Sequence, residues 1–196
     1  MRRVANSLFC GAALPVLLLL ATLAWSGAAT VEVARVNDGD TITVHLSGRP
    51  ELVRLIGVDA PETVHSKSLA RKARSAGRSA TEEAQAGAAS RKAMLKLVAV
   101  GDKVRLLDGR PQTSKRDRYG RLLAFVYLAD GKLLNQEMIA QGWAKAYRSF
   151  NFRHKSDFLG AESEARLARR GLWAKGEAYD LERRTRVSPS RLNSRP

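Results

Sequence analysis

Residues 31–46 read VEVARVNDGDTITVHL, a stretch in which β-branched residues alternate with polar ones on both sides of an Asp-Gly turn. This period of two predicts strands over 31–36 and 41–46, joined as a hairpin through Asp38-Gly39. A second turn over 47–50 leads to a third strand over 52–57. The first folded part of the chain is therefore predicted to be a three-stranded meander.

Farther along, two more strands are predicted, over 103–107 and 122–128, and helices over 81–98, 135–141 and 157–170. A segment over 64–80, rich in Ser, Ala and basic residues and without acidic ones, is predicted to be a mobile basic loop. Five short strands with a helix between the third and fourth is the order of a partly open barrel of the OB type. The predicted fold class is α+β, mainly β: a five-stranded OB-fold-type barrel capped by about three helices. The residues expected on the buried helix faces are Ala84, Ala88, Leu95 and Val98, then Phe158, Ala161, Ala165 and Ala168.

The ends of the chain differ in composition from its middle. Residues 1–29 combine two early arginines, an apolar run over 8–25 and small residues after it, a pattern typical of a signal peptide. Because that run is just long enough to cross a bilayer, an uncleaved membrane anchor is the alternative. The sequence predicts a domain over 30–176 and a basic, disordered tail over 177–196. We expect export, with a secreted or periplasmic location unless residues 8–25 anchor the protein. The only cysteine, Cys10, lies in the first segment, so we expect no disulfide in the domain.

The charge balance indicates a polyanionic partner. The chain has 34 Lys plus Arg against 19 Asp plus Glu, a formal charge of +15 and a pI near 10.7. Nucleic acid is the first candidate and an anionic membrane or envelope surface the second, reached through the basic loop or the tail. Charge alone is equally compatible with a soluble basic protein that binds neither.

Against this basic background, carboxylates concentrate in two places. Asp38-Gly39-Asp40 by itself is explained by the hairpin turn. Asp59 and Glu62, however, follow a predicted strand and are separated only by Ala60-Pro61, so the bend presents both side chains near each other. Hard cations such as Ca²⁺ bind several oxygens, which Asp40, Asp59 and a loop carbonyl could supply.

Two arginines fit a phosphate beside such a cation. Arg54 lies within a predicted strand and points away from the face of Val53 and Leu55, and Arg121 begins the last strand. Either alone is compatible with a solvated surface. Together they could bind a phosphate in bidentate fashion and stabilise a five-coordinate transition state.

Three ordered segments resemble the signatures of the staphylococcal-nuclease-like (thermonuclease) family, and the similarity extends over about residues 31–174. The segments are Asp38-Gly39-Asp40-Thr41, then the run over 54–62, and Asp117-Arg118-Tyr119-Gly120-Arg121. Later stretches over 142–147 and 164–174 are also similar to the family.

The resemblance implies Ca²⁺ bound by the carboxylates of Asp40 and Asp59 and the carbonyl of Ala60. It implies a catalytic set of Arg54 and Arg121, which hold the phosphate, and Glu62, which activates or positions water. By the same resemblance, three further residues would contact substrate: Arg118 and Tyr119 at a terminal phosphate, and Tyr147 beside a base.

We therefore expect a monomeric, exported, Ca²⁺-dependent endonuclease that acts on DNA and RNA and leaves 3′-phosphates. One alternative is a non-catalytic nucleic-acid-binding module of the same fold, although such modules lose the carboxylates or arginines that this chain keeps. Another is a secreted basic protein that binds DNA or membranes without chemistry. The sequence has no GxxxxGK phosphate loop, and its three histidines are scattered, without metal-ligand spacing.

Overall fold

The computed structural model describes residues 29–63, 66–107 and 116–174. Five strands of this part of the chain form the barrel: β1 (Ala29–Val36), β2 (Thr41–Leu46), β3 (Arg49–Leu55), β5 (Lys103–Leu107) and β6 (Leu122–Tyr127). Two short strands, β4 (Val58–Asp59) and β7 (Lys145–Ala146), pair with each other. The helices are α1 (Leu69–Ser75), α2 (Ala80–Leu97), α3 (Leu134–Ala140) and α4 (Lys155–Leu167), with a 3-10 turn over Gly171–Trp173.

The barrel is closed, in the order β1-β2-β3-β6-β5. The meander β1-β2-β3 is antiparallel, β5 pairs with both β6 and β1, and β3 runs parallel to β6. The predicted fold class is confirmed, but the expectation of a partly open barrel is wrong, because β1 and β5 pair over four residue positions. Closure removes the exposed edges that an open sheet would leave.

The barrel interior is apolar. Inward positions alternate along the strands, and the fully buried side chains include Val33, Ile42, Val53 and Phe125. The helices cover one side of this core, where Met94 of α2, Met138 of α3 and Phe158 of α4 are also inaccessible to solvent. The removal of these apolar side chains from water is the main contribution to the free energy of folding for a domain of this length.

The predicted loop over 64–80 is wrong in its described part, because residues 69–75 form α1. Ala, Lys, Arg and Leu all favour helix, and Ala73 gives the helix a buried contact. The described residues thus contain four α-helices rather than about three.

Two helix faces also differ from expectation. In α2, Ala88 and Leu95 are exposed, whereas Val98, just after the helix, is buried as predicted. The buried positions within the helix are Glu83, Gly87, Ser90, Ala93 and Met94. In α4, Phe158, Ala161 and Ala165 are buried as predicted, but Ala168 follows the last helical residue and is exposed. The N-terminal half of the α2 face is polar because Glu83 and Gly87 contact the Glu62 loop, whereas Met94 and Val98 pack in the barrel core.

The first hairpin shows why its glycine is there. The loop between β1 and β2 has four residues, 37–40, and Gly39 does not have a positive φ. A Cβ on Gly39 would lie 1.9 Å from the hydroxyl oxygen of Ser90. The glycine therefore allows α2 to approach the hairpin, where the Ser90 hydroxyl donates to the Trp143 carbonyl at 2.7 Å.

The β4–β7 pair fixes the backbone of Asp59, which lies opposite Lys145. β7 in turn is held by α4, because the carboxylate of Glu162 accepts a hydrogen bond from the Ala146 amide at 3.0 Å. Glu162 is 1% exposed and also pairs with Arg148 and Arg166, so its buried charge is compensated.

Among the described residues, no helix is both long and apolar enough to cross a membrane. The predicted signal peptide (or anchor) over 1–29 lies outside the described residues up to residue 28, and the predicted tail over 177–196 lies outside them entirely. Both stay predictions.

Asn135 connects three parts of the fold. Its side-chain oxygen accepts from the Val126 amide at 2.9 Å, and its side-chain nitrogen donates to the carbonyls of Ile56 (2.9 Å) and Ala124 (3.2 Å). Asn135 is fully buried, so without its side chain these backbone groups could not form hydrogen bonds with water instead.

We predict that Asn135→Ala lowers the free energy of unfolding by about 3 kcal/mol, since it strands buried backbone groups and leaves a small cavity. Equilibrium urea unfolding measures the change. Gln136→Ala, a similar truncation one residue along α3, should cost less than half as much. Equal losses in the two variants would contradict the role given to Asn135.

Candidate functional site

Asp40 is the last residue of the loop before β2, and its carboxylate is the centre of the site. One oxygen accepts from the Ala60 amide at 2.9 Å, and the other accepts from the Thr41 hydroxyl at 3.0 Å and forms an ion pair with Arg54. Asp40 is 6% exposed. A carboxylate so deeply buried is stable only because every side of it meets a donor or a cation.

Arg54 projects from β3 toward this carboxylate, away from the core face of its neighbours, as predicted. Its guanidinium also donates to the carbonyls of Asp40 at 3.3 Å and Val58 at 2.9 Å. Burial lowers the pKa of Arg54, and the nearby charge of Arg121 lowers it further. An arginine keeps its proton despite such a shift, so the two guanidiniums face each other as like charges.

Arg121 reaches the same place from the start of β6. Its Nε and Nη2 both bind the Asp117 carboxylate at 2.8 Å, and its Nη1 lies 3.5 Å from the Thr41 hydroxyl oxygen. The parallel pairing of β3 with β6 brings Arg121 close to the hairpin of β2 and β3. Arg121 therefore lies near Thr41, although the two residues are 80 positions apart in the chain. The structure thus places both predicted phosphate-binding arginines beside Asp40.

Three oxygen-bearing groups of the β4 loop surround one ammonium group, that of Lys72 from α1. Its Nζ lies 2.6 Å from Asp59 Oδ1, 2.7 Å from the Ala60 carbonyl oxygen and 3.2 Å from Glu62 Oε1. Sequence reasoning missed Lys72, because it is one of several basic residues in a segment without clear periodicity.

Glu62 is ionised at neutral pH. Burial raises its pKa, but hydrogen bonds from the hydroxyls of Ser66 and Ser68, together with the Lys72 ammonium, lower the pKa by more, so it lies below its ordinary value. An ionised carboxylate can accept a proton or a hydrogen bond from water.

The neighbouring carboxyl of Asp38 has the opposite shift. Burial raises its pKa, and the charge of Glu62 adds to this, while Arg54 and a hydrogen bond from Thr41 oppose it. Asp38 also accepts a hydrogen bond from the Asp40 amide at 2.9 Å, which fixes the loop that carries Asp40. Its role here is to shape the turn.

The backbone of Glu62 is fixed by α2. The carboxylate of Glu83 accepts from the Glu62 amide at 3.1 Å and pairs with Arg78 at 2.6 Å. Gly87, one helical turn on, lets the loop touch the helix, since a Cβ there would lie 2.1 Å from the Glu62 carbonyl oxygen. Sequence reasoning missed both residues, although a glycine inside a helix is a signal of close packing.

The oxygens around Lys72 show that this loop accommodates a cation. Asp59, Glu62 and the Ala60 carbonyl are hard oxygen donors, the kind that Ca²⁺ prefers. Within the described ranges, no group of three or more His, Cys, Asp or Glu side chains could hold a metal. Two carboxylates and a carbonyl are fewer ligands than the roughly six to eight oxygens that Ca²⁺ binds, so water would have to supply the rest of its coordination. Of the three predicted ligands, Asp59 and Ala60 contact the Lys72 ammonium, whereas the Asp40 carboxylate is bound to Arg54 and to the Ala60 amide.

The three predicted substrate contacts fall into two groups. Arg118 and Tyr119 are neighbours of Arg121: the guanidinium carbons of Arg118 and Arg121 lie 4.8 Å and 5.4 Å from the centre of the Tyr119 ring. Tyr119 is 65% exposed, so its ring is accessible to a ligand. Tyr147 follows β7, donates its amide to the Gly57 carbonyl at 2.8 Å, and packs its ring on Phe150. Its stacking role stays a prediction.

The closed barrel of the OB type thus carries two arginines and a loop of carboxylates at one place, an arrangement whose chemistry suits a phosphate group. A family model described as "Staphylococcal nuclease homologue" matches residues 52–175, a range that includes all of the predicted site residues except Asp40. The chain belongs to the staphylococcal nuclease homologue family.

Relatives agree with this assignment. The chain is 35% identical over 142 residues to an "Uncharacterized endonuclease" of Escherichia coli O157:H7, covering 72% of this chain and 75% of the relative. It is 31% identical over 147 residues to the "Thermonuclease" of Staphylococcus hyicus, covering 74% and 76%. It is 32% identical over 199 residues to "Protein ParB" of Escherichia coli, covering 97% and 98%. The family resemblance inferred from the three sequence segments is confirmed.

We predict that Gly87→Ala lowers both stability and activity, because its methyl group must push the Glu62 backbone away from α2. Alanine usually stabilises a helix interior by about 0.5–1 kcal/mol relative to glycine. Gly160→Ala in α4, where nothing lies within 4 Å of the added Cβ, is the matched control and should show that gain. Thermal unfolding and initial rates of DNA cleavage measure both effects. A stabilised, fully active Gly87→Ala protein would contradict the packing argument.

We predict that Asp117→Asn lowers stability at pH 7 by about 1 kcal/mol and reduces cleavage, since Arg121 loses its charged partner. Burial raises the pKa of Asp117, but hydrogen bonds from Arg121 and from the Tyr119 and Arg121 amides lower it by more. The pair therefore stabilises the fold above the unfolded-state pKa, near pH 4, and this contribution is lost as the pH falls through the lower folded-state pKa.

Urea unfolding at pH 7, at about pH 4 and at about pH 2.5 should accordingly show a wild-type advantage that shrinks and disappears. Asp130→Asn removes the same charge from an exposed turn and should cost less at pH 7. An advantage of wild type over Asp117→Asn that does not change with pH would exclude the ion pair as its source.

Proposed function

We propose that this protein is a nuclease that hydrolyses phosphodiester bonds of DNA and RNA, depends on Ca²⁺, cuts within chains and leaves 3′-phosphates. The observation that carries the proposal is the convergence of Arg54 and Arg121 beside the Asp40 carboxylate and the loop of Asp59 and Glu62. Family membership and the printed names of the thermonuclease and endonuclease relatives support the same function.

The arginines account for phosphate binding. Two guanidiniums held near each other repel, and an anion placed between them relieves that repulsion. Arg54 is fixed by Asp40 and by two carbonyls, and Arg121 is fixed by Asp117, so neither has to reorganise when the phosphate arrives. Such preorganised donors stabilise the extra negative charge of a five-coordinate phosphorus.

Glu62 accounts for the activation of water. Its ionised carboxylate can orient a water molecule and accept a proton as the water oxygen attacks phosphorus. The bond from phosphorus to the 5′ oxygen then breaks, which leaves a 3′-phosphate and a 5′-hydroxyl. Glu83 and Gly87 keep Glu62 in place through its backbone, because a general base must be held within hydrogen-bond reach of its water.

Asp40, Asp59 and the Ala60 carbonyl would hold the Ca²⁺, which when bound would polarise the phosphate and lower the pKa of an adjacent water. The contacts of Lys72 with Asp59 and the Ala60 carbonyl support two of these ligands, and the hydrogen bond from the Ala60 amide holds the Asp40 carboxylate beside the same loop. The basic surface would attract the polyanionic substrate, and the exposed ring of Tyr119 beside Arg118 offers a place for the end of a nucleotide.

The proposal includes location and assembly. The composition of residues 1–29 supports export to a secreted or periplasmic location, with residues 8–25 as a membrane anchor if they are not removed. The protein would act as a monomer, and its basic loop or tail could contact the anionic cell envelope.

The test is cleavage of single-stranded and duplex DNA, and of RNA, with Ca²⁺, with Mg²⁺ and with a chelator. We expect Ca²⁺-dependent cutting of internal bonds and products whose 3′ ends accept label only after phosphatase treatment. DNA that is bound but uncut under all conditions would instead indicate a binding module of the same fold.

Arg121→Ala should reduce kcat by at least about 10³-fold while the fold stays intact, because it removes charge stabilisation of the transition state. Arg49→Ala, the loss of an exposed arginine at the far end of β3, is the matched control and should keep near-normal rates. Near-normal cleavage by Arg121→Ala would exclude its catalytic assignment.

A further inference from the structure

The ammonium group of Lys72 lies among oxygen atoms of the kind that bind metal cations. Its ammonium contacts the Asp59 carboxylate, the Ala60 carbonyl and the Glu62 carboxylate, all within 3.2 Å. Asp59 and Ala60 are also proposed metal ligands, and Glu62 is the proposed base. The Lys72 side chain is 20% exposed, so the ammonium is largely enclosed by protein and this contact differs from a fully exposed surface pair.

We propose that Lys72 is an internal counterion for this acidic loop, and that Ca²⁺ must displace its ammonium in order to bind. The inference rests on the metal site of the proposed function and adds a residue that sets how much calcium the site requires.

Displacement follows from geometry and charge. Calcium binds oxygen ligands at about 2.3–2.6 Å, and an ammonium 2.7 Å from the same carbonyl would then lie within a few ångströms of a divalent ion. Like charges at that separation repel strongly in a partly buried site. One cation therefore occupies the loop at a time.

The contact also links the metal site to α1. The segment that carries Lys72 is fixed to the Glu62 loop at two points: Lys72 binds the Glu62 side chain, and Arg78 pairs with Glu83, whose carboxylate holds the Glu62 amide. When calcium replaces the ammonium, the first of these points is lost. The helix is then held by the buried Ala73 and by the Arg78 end.

The first experiment measures Ca²⁺ binding by titration calorimetry, without nucleic acid, in wild type and in Lys72→Met. Methionine keeps the length and helix preference of lysine without its charge. We expect Lys72→Met to bind Ca²⁺ about tenfold more tightly, because no internal cation competes. Arg74→Met removes the same charge from an exposed position of α1 and should change affinity less than about twofold, since solvent and salt screen it. Lys72→Arg keeps the charge and should stay near wild type.

A second measurement follows the helix itself. In a chelator, Lys72→Met should unfold at a lower temperature than wild type, because the Asp59 and Glu62 carboxylates lose their shared counterion. Adding Ca²⁺ to wild type should increase amide hydrogen exchange in residues 69–75, and this calcium effect should be absent in Lys72→Met.

The outcomes separate this inference from the proposed function. Equal Ca²⁺ affinities for wild type and Lys72→Met, or an equal gain in Arg74→Met, would overturn the role of Lys72 and leave a calcium-dependent nuclease intact. If neither wild type nor Lys72→Met binds Ca²⁺, both the displacement and the calcium assignment fail. Cleavage without any metal would then show whether the nuclease proposal survives alone.

Discussion

The buried carboxylate of Asp40 is the contact on which the site depends. It ties the first hairpin to the β4 loop through the Ala60 amide, 20 positions along the chain, and it compensates the buried charge of Arg54. Removal of this carboxylate would leave a buried guanidinium beside Arg121 with one partner fewer, which is costly in a region of low dielectric. The same side chain thus stabilises the fold and fixes the position of Arg54.

The rest of the site continues this pairing of opposite charges. Arg121 is held by Asp117, and Lys72 by Asp59 and Glu62. Each of these cationic side chains is held by at least one carboxylate, so the geometry of the site is fixed before a substrate binds. Because these charged groups are already in place, they rearrange little when negative charge develops in a transition state.

Local patterns predicted much of the molecule. The period-two runs placed the barrel strands, and α2 was predicted to begin within one residue of its observed start, where Ser79 and Glu82 form a capping box. The two arginines and the loop carboxylates were recognisable from their segments. Long-range packing decided the rest. Barrel closure depends on the pairing of β1 with β5. The buried face of α2 includes Gly87 and Ser90, so apolar periodicity placed Val98 correctly but Ala88 and Leu95 wrongly. Helix α1 offered only one buried alanine, and Lys72 looks like any other surface lysine until the fold brings it to Asp59.

The parallel pairing of β3 with β6 has a consequence for how the protein matures. In the chain, Arg54 of β3 and Arg121, just before β6, are separated by β4, α1, α2 and β5, so no short segment of the chain contains both arginines. Contacts between residues so distant in sequence require the closure of long loops. This closure has an entropic cost, so such contacts form late in folding. A partly synthesised or partly folded chain therefore holds its basic residues without an assembled site. A chain whose barrel has not yet closed would accordingly lack the juxtaposed arginines and with them any chemistry that depends on both.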